Sequence, residues 1–143
     1  MPYLSTNNVY YLSPAGTVSK VATDLDQPNG IIGTSDGSLL YVSDIARQVT
    51  YSYQIEANGD LSNQKLFVAM GSDGMTLDEF GNVYLTGKGI SIFDATGKKI
   101  EHIKIEEPWT ANVTFAGPKR DILFITASRA IYTLKMKVKG ANR

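Results

Sequence analysis

Apolar and polar residues alternate along most of the chain, with the period of two that is typical of half-buried β-strands. Val49, Tyr51, Tyr53 and Ile55 alternate with polar neighbours, and residues 132–138 repeat the pattern near the end of the sequence. No stretch keeps a helical period for more than two turns. The pattern therefore predicts an all-β protein.

A weak internal repeat organises the predicted strands. Three segments share an Asn or Asp near their start and an aromatic residue in the following strand: residues 28–44, 72–87 and 111–127. Their first shared position holds Asn29, Asp73 and Asn112, which lie 44 and then 39 residues apart. A period of about 40 residues with four short strands is typical of a β-propeller blade.

The repeat predicts thirteen strands in groups of two, four, four and three. We therefore expect residues 1–143 to form one partial β-propeller domain. It would hold a blade remnant over 8–26, blades over 27–70 and 71–107, and an incomplete blade over 108–140. These units, about three blades, are too few to close a ring, because propellers typically have four to eight blades. The sequence thus predicts part of a propeller.

Composition and charge exclude several classes of function. Lys plus Arg equals Asp plus Glu at 14 each, which leaves no basic field for nucleic acid or anionic lipid. No apolar run approaches the roughly 20 residues that span a bilayer, and residues 1–8 show no signal peptide. We expect neither nucleic acid nor membrane as a partner. The absence of cysteine suits the cytoplasm but leaves the periplasm open.

Three motifs, taken in order, resemble the C-terminal half of the SMP-30/gluconolactonase/luciferin-regenerating family. They are Gln-Pro-Asn-Gly at 27–30, Ser-Asp-Gly-Met at 72–75 and Asn-Val-Thr-Phe at 112–115. Each motif is weak by itself, whereas their ordered succession is specific. The resemblance implies a six-bladed β-propeller and a metal-dependent hydrolase that opens sugar lactones, with a small-molecule lactone as its partner.

The resemblance also implies a set of site residues. Asn29 and Asp73 match two metal ligands of the family by motif, and Asp73 also matches its catalytic base. Trp109, Thr110 and Asn112 enter the last inner strand and are expected to line the substrate site. The oxygen ligands favour Ca²⁺, with Mg²⁺, Mn²⁺ or Zn²⁺ as alternatives. The family's Glu ligand and its other Asn ligand belong to earlier blades, so no residue here corresponds to them.

Several alternatives stay open at this point. Asn29-Gly30 and Asp73-Gly74 could each form an ordinary turn, and Trp109 could serve packing alone. The chain could be a non-catalytic propeller fragment or binding module, because one Asn and one Asp hold a cation poorly. A missing N-terminal half or a second copy, in a homodimer, could close the ring.

Two further features have ordinary structural explanations. The Gly-x-Ser-x-Gly match at 33–37 falls in a predicted hairpin, and the sequence has one histidine, His102, so it is no nucleophile elbow. We expect His102 on the surface of an outer strand. Asp44 ends a predicted strand, and we expect its carboxylate to accept hydrogen bonds from the backbone of the next hairpin.

Overall fold

The computed structural model describes residues 7–141, which form β-strands, turns and loops with no α-helix. This part of the chain accordingly has no helix of the length and apolar character needed to cross a membrane. It contains thirteen strands: β1 (Val9–Leu12), β2 (Val18–Ala22), β3 (Pro28–Gly33), β4 (Leu39–Asp44), β5 (Val49–Ile55), β6 (Leu61–Val68), β7 (Met75–Leu77), β8 (Val83–Gly87), β9 (Gly89–Phe93), β10 (Lys99–Ile103), β11 (Thr110–Ala116), β12 (Ile122–Ala127) and β13 (Ala130–Lys135).

The strands form four antiparallel sheets, each of which follows chain order. β1 pairs with β2, β3 to β6 and β7 to β10 form two four-stranded sheets, and β11 to β13 form a three-stranded sheet. The predicted all-β class and the predicted groups of strands are confirmed for residues 7–141. Short hairpins connect the strands, and Gly37, Gly59 and Gly97 take the positive φ that these turns require.

The last strand is shorter than the alternation predicts. The pattern continues to Val138, whereas β13 ends at Lys135. The chain then leaves the sheet edge, and Gly140 forms an isolated β-bridge with Asp78, directly after β7. A Cβ atom at Gly140 would lie 2.5 Å from the Cβ atom of Phe115, so only glycine can cross here. The prediction of a strand to Val138 is therefore wrong.

Apolar side chains join successive sheets face to face in three buried clusters. Every residue of β8 and β9 is buried, because the sheet β7–β10 has a neighbour on each face. The cluster between the two four-stranded sheets comprises Tyr41, Val68, Met75, Leu77, Val83, Leu85 and Phe93. The cluster on the other face of the sheet β7–β10 comprises Tyr84, Ile90, Ile92, Val113, Leu123 and Ile125.

The first strands of three sheets, β3, β7 and β11, are the inner strands; β7 lies between the other two, and two glycines make close contacts with the neighbouring strand or bend. The Gly30 N–H donates to the carbonyl oxygen of Ser72 at 3.1 Å. A Cβ atom at Gly30 would lie 2.8 Å from that oxygen, and one at Gly74 would lie 2.3 Å from Asn112 Oδ1. Such distances leave no room for a side chain, so both glycines allow the neighbouring backbones to meet.

The backbone conformation at Gly30 and Gly74 shows that neither the Asn29-Gly30 motif nor the Asp73-Gly74 motif is a glycine turn with positive φ. Gly30 lies inside β3 and has no positive φ, so the turn interpretation of Asn29-Gly30 is wrong. Asp73-Gly74 forms a bend that leads into β7, again without positive φ. Both motifs place an oxygen-bearing side chain where two inner strands are in contact.

Asp44 joins the loop before β3 to the end of β4. Its carboxylate is fully buried and accepts hydrogen bonds from the backbone N–H groups of Asp26, Gln27 and Arg47, at 2.7, 3.0 and 3.2 Å. The bond from Arg47 confirms the expected link to the next hairpin. Burial raises the pKa of Asp44, but these three N–H donors and the Arg47 guanidinium outweigh it, and the pKa lies below its ordinary value.

We expect Gly74→Ala to lower the free energy of unfolding by about 2 kcal/mol, because the added methyl group overlaps Asn112 and must displace β11. Gly33→Ala is the matched control, since a Cβ atom there meets its nearest neighbour at an ordinary 3.7 Å. Urea unfolding followed by circular dichroism measures both. Equal stability of the two variants would contradict the close approach.

We expect Asp44→Asn to lower the free energy of unfolding at neutral pH by about 3 kcal/mol, because it removes a buried carboxylate that its donors require. A lowered pKa contributes stability above about pH 4 that is lost as the pH falls through the folded-state value. The variant should therefore lose less stability than wild type between neutral and acidic pH. Urea unfolding at several pH values tests this, with exposed Asp60→Asn as the control. Parallel pH curves for Asp44→Asn and wild type would refute the assignment.

Candidate functional site

The three residues at the shared repeat position lie at the beginnings of the inner strands. Asn29 is in β3, Asp73 precedes β7, and Asn112 is in β11. The Asn29 side chain donates from Nδ2 to Asp73 Oδ1 at 3.1 Å. The structure therefore brings together the two residues that the sequence indicated as metal ligands, although they are far apart in the chain.

Trp109 binds the other oxygen of the same carboxylate. Its indole N–H donates to Asp73 Oδ2 at 2.6 Å, and 45% of the residue remains exposed. The backbone N–H of Ser128 donates to the Trp109 carbonyl at 2.9 Å, which fixes the loop before β11 against the β12–β13 turn. Trp109 is therefore more than a packing residue, because its indole N–H donates to Asp73 and much of the residue remains exposed to solvent.

The other two expected substrate residues take different positions. Thr110 is completely buried, and its Oγ1 has no hydrogen-bond partner within the part of the chain that the structure describes. Asn112 is exposed and lies against Gly74, and its Oδ1 accepts the N–H of Val113 at 2.8 Å. Asn112 thus borders the site, whereas Thr110 is buried at the start of β11.

The donor atoms at Asn29 and Asp73 suit a hard cation only in part. They are one carboxylate and one amide oxygen, which are ligands that Ca²⁺ and Mg²⁺ accept. Among residues 7–141, no three His, Cys, Asp or Glu side chains form a group that could hold a metal. The two side chains fit the chemistry of such an ion but supply fewer oxygens than the six to eight that calcium takes.

Other acidic groups near the inner strands serve the fold. Asp78 is buried and accepts from the backbone of Phe80 and Asn82 and from the hydroxyl of Tyr84, at 2.9, 3.0 and 3.1 Å. Asp44 is similarly occupied by backbone donors. Asp73 differs because its two carboxylate bonds come from side chains alone, which can rotate away when a ligand arrives.

Sequence reasoning excluded one motif correctly and missed another feature. Thr34 and Gly37, from the Gly-x-Ser-x-Gly match, lie in the β3–β4 hairpin, and His102 is exposed on β10 at the edge of its sheet. Ser72 and Thr86, which bond the backbone around Asp73, were missed. The sequence does distinguish Ser72, because its repeat position holds proline or alanine in the other two units.

Residues 2–129 match the profile of the SMP-30/Gluconolactonase/LRE-like region. A gluconolactonase from Zymomonas mobilis is 28% identical over 151 aligned residues, which cover 96% of this chain and 42% of that protein. The pentonolactonase XacC from Haloferax volcanii is 28% identical over 129 residues, which cover 84% of this chain and 44% of its own length. The chain thus spans less than half the length of these two relatives.

Solved structures show the same fold. A gluconolactonase from Xanthomonas campestris has a TM-score of 0.83 and 28% identity, covering 94% of this chain and 46% of that one. A calcium-binding regucalcin from Agrobacterium tumefaciens has a TM-score of 0.79 and 21% identity, covering 95% and 54%, a likeness of fold alone. With the family match over residues 2–129 and the shared fold, the chain belongs to the SMP-30/gluconolactonase/LRE-like family.

Proposed function

We propose that this chain carries half of a metal-dependent lactonase site, within part of a six-bladed β-propeller, and that the reaction is ring opening of a sugar lactone. One observation carries the proposal: Asp73 lies between Asn29 and Trp109, at 3.1 and 2.6 Å, where adjacent inner strands begin. Family membership and the lactonases among the relatives support the class of substrate.

Asp73 and Asn29 would hold the divalent cation, most suitably Ca²⁺, with Mg²⁺, Mn²⁺ or Zn²⁺ as substitutes. Bound there, such an ion polarises a lactone carbonyl and stabilises negative charge on its oxygen. Asn29 now presents its Nδ2 to the carboxylate, and a half-turn of the amide would present Oδ1 to a cation instead. The remaining ligands would come from water, substrate and further blades.

Asp73 is suited to act as the general base. One of its oxygens would accept a proton from water while the water oxygen bonds to the lactone carbonyl carbon. The bond between that carbon and the ring oxygen then breaks, and the proton passes from Asp73 to the ring oxygen, which leaves as a hydroxyl. Trp109 donates to one lone pair of Oδ2, and Oδ1 becomes available once the Asn29 amide turns, so one oxygen would contact the cation and the other the attacking water.

Trp109 and Asn112 form the substrate-facing surface in this proposal. The exposed part of the Trp109 ring offers an apolar face for the C–H groups of a sugar ring, and Asn112 offers an exposed amide for its hydroxyls. Thr110 is buried at the start of β11, so in this proposal it helps to fix the strand rather than contact the substrate.

Further blades would cover the two outer faces of the stack of sheets. Leu12 and Val18 on the first sheet are 65% and 61% exposed, and Ile131 on the last is 65% exposed. Neighbouring blades bury such residues inside the stack. An N-terminal half or a second copy of this chain would cover them and add oxygen ligands at the shared axis.

We expect Asn29→Asp to distinguish a metal ligand from a structural residue. Without a cation, the second carboxylate lies beside Asp73 and should cost roughly 1 kcal/mol, a few degrees in melting temperature. Calcium should then raise the melting temperature of Asn29→Asp more than that of wild type, because the added charge strengthens cation binding. Thermal unfolding with and without calcium, in a chelator-treated sample, measures both.

The control for the calcium effect is Asp60→Asn, an exposed change in the β5–β6 hairpin that should leave the calcium effect unchanged. Asp73→Asn should remove it. If Asn29→Asp is destabilised and calcium does not restore it, Asn29 is a structural residue and the metal assignment fails.

We expect the protein to accelerate opening of glucono-δ-lactone in the presence of calcium, with acid release followed in a pH-stat. Asp73→Asn should reduce the catalysed rate about 100-fold or more, because it removes the general base and a metal ligand while keeping the side-chain shape. Asp60→Asn should retain the wild-type rate. A folded protein that binds calcium but adds nothing to the spontaneous rate would support the alternative of a non-catalytic binding module.

A further inference from the structure

Two buried hydroxyl groups lie directly behind the Asp73 backbone. Ser72 precedes Asp73 and is 1% exposed, and Thr86 lies in β8 and is 0% exposed. Their oxygens are 3.2 Å apart. Neither hydroxyl can contact solvent or substrate, so any effect on the site has to pass through Asp73 and its neighbours.

These two hydroxyls bond the backbone of Gly74, the residue that follows Asp73. The Ser72 Oγ donates to the Gly74 carbonyl at 2.6 Å and accepts the N–H of Thr86 at 2.8 Å. The Thr86 Oγ1 accepts the N–H of Gly74 at 3.0 Å. The bond from Ser72 to Gly74 therefore spans Asp73, and the backbone directly after Asp73 is bonded to two hydroxyls that lie inside the sheet.

The Thr86 hydroxyl lies within hydrogen-bond distance of two backbone carbonyls. Its oxygen is 3.0 Å from the Gly74 carbonyl oxygen and 3.2 Å from the Ala111 carbonyl oxygen, and its single proton can be donated to either of them. Thr86 in β8 thereby lies between the bend at Asp73 and β11, the strand that follows Trp109.

The Ser72 carbonyl extends the same connection to β3. It accepts the N–H of Gly30 at 3.1 Å, and Gly30 follows Asn29 directly. The pair of hydroxyls thus connects, through the backbone, the three segments that bear Asn29, Asp73 and Trp109. A shift at either hydroxyl would therefore move Asp73 relative to Asn29 and Trp109.

The internal repeat supplies a comparison within the molecule. The positions that correspond to Ser72 are Pro28 and Ala111, which have no hydroxyl. Thr86 corresponds to Ser43, whose hydroxyl bonds Thr50 rather than the inner strand. Among these three units, the serine–threonine pair occurs only beside the carboxylate, which points to a role in the site rather than in the sheet in general.

We propose that Ser72 and Thr86 are positioning residues that hold the Asp73 backbone so that its carboxylate lies between Asn29 and Trp109. The consequence for catalysis rests on the proposed lactonase function, whereas the consequence for geometry does not. The effect on geometry and the effect on catalysis therefore need separate measurements, so that a negative result for one does not decide the other.

The geometric part can be tested because the sequence contains a single tryptophan. The ¹H–¹⁵N spectrum therefore holds one indole cross-peak, from the group that donates to Asp73 Oδ2. Asp73→Asn defines how far that peak moves when the charged acceptor is lost. We expect Thr86→Val and Ser72→Ala to move the peak in the same direction, and Thr86→Ser, which keeps the hydroxyl, to return it toward the wild-type position.

Ser43→Ala is the matched control, because it removes a completely buried hydroxyl at the equivalent place in the neighbouring sheet. It should lower stability to a similar extent and leave the indole peak unchanged. Wild-type indole peaks in folded Ser72→Ala and Thr86→Val would overturn the proposal. If Thr86→Val does not fold, the milder Ser72→Ala decides the question.

The catalytic part is tested by lactone opening. We expect Ser72→Ala to lower kcat about tenfold with little change in KM, because the base is misplaced while the substrate surface is intact. An unchanged kcat together with a shifted indole peak would overturn the catalytic part and keep the geometric one. No activity in the wild-type protein would count against the proposed function and leave the indole result to stand alone.

Discussion

The close approach of the inner strands at Gly30 and Gly74 is the constraint on which the site depends. Each glycine follows a residue with an oxygen-bearing side chain, and each lacks the Cβ atom that would hold the next strand away. Because the backbones meet, Asn29 and Asp73 come within hydrogen-bond distance although 44 residues separate them. A larger residue at either glycine would separate the strands first and the side chains with them.

The rest of the fold makes this contact rigid. The sheet that carries Asp73 is covered on both faces, and all residues of its two middle strands are buried. Short hairpins leave little freedom between strands, and Asp44 fixes the entrance to β3 with two backbone bonds and the hairpin after β4 with a third. A site on such a scaffold keeps its geometry before a ligand arrives, and catalytic and metal-binding groups require this.

The aspartates have two different roles, one in stabilising the fold and one in the candidate site. Asp44 and Asp78 are buried and accept backbone N–H groups, so their oxygens are committed to the fold. Asp73 accepts only from Asn29 and Trp109, whose side chains can rotate. The carboxylate with exchangeable partners is therefore the one suited to ligands.

The sequence by itself determined the class of fold and the strand groups, and its resemblance to a known family indicated that Asn29 and Asp73 share a site. Strand alternation, glycine turns and the repeat are local signals, and the repeat places equivalent residues at equivalent strand ends. Only the tertiary structure decided that Trp109 bonds Asp73, that Thr110 is buried, and that Ser72 and Thr86 brace the bend. Those facts depend on which strands lie side by side and how closely, and no local pattern encodes a distance between sheets. For the same reason the end of β13 was misplaced, since the crossing of Gly140 over Phe115 is a long-range contact.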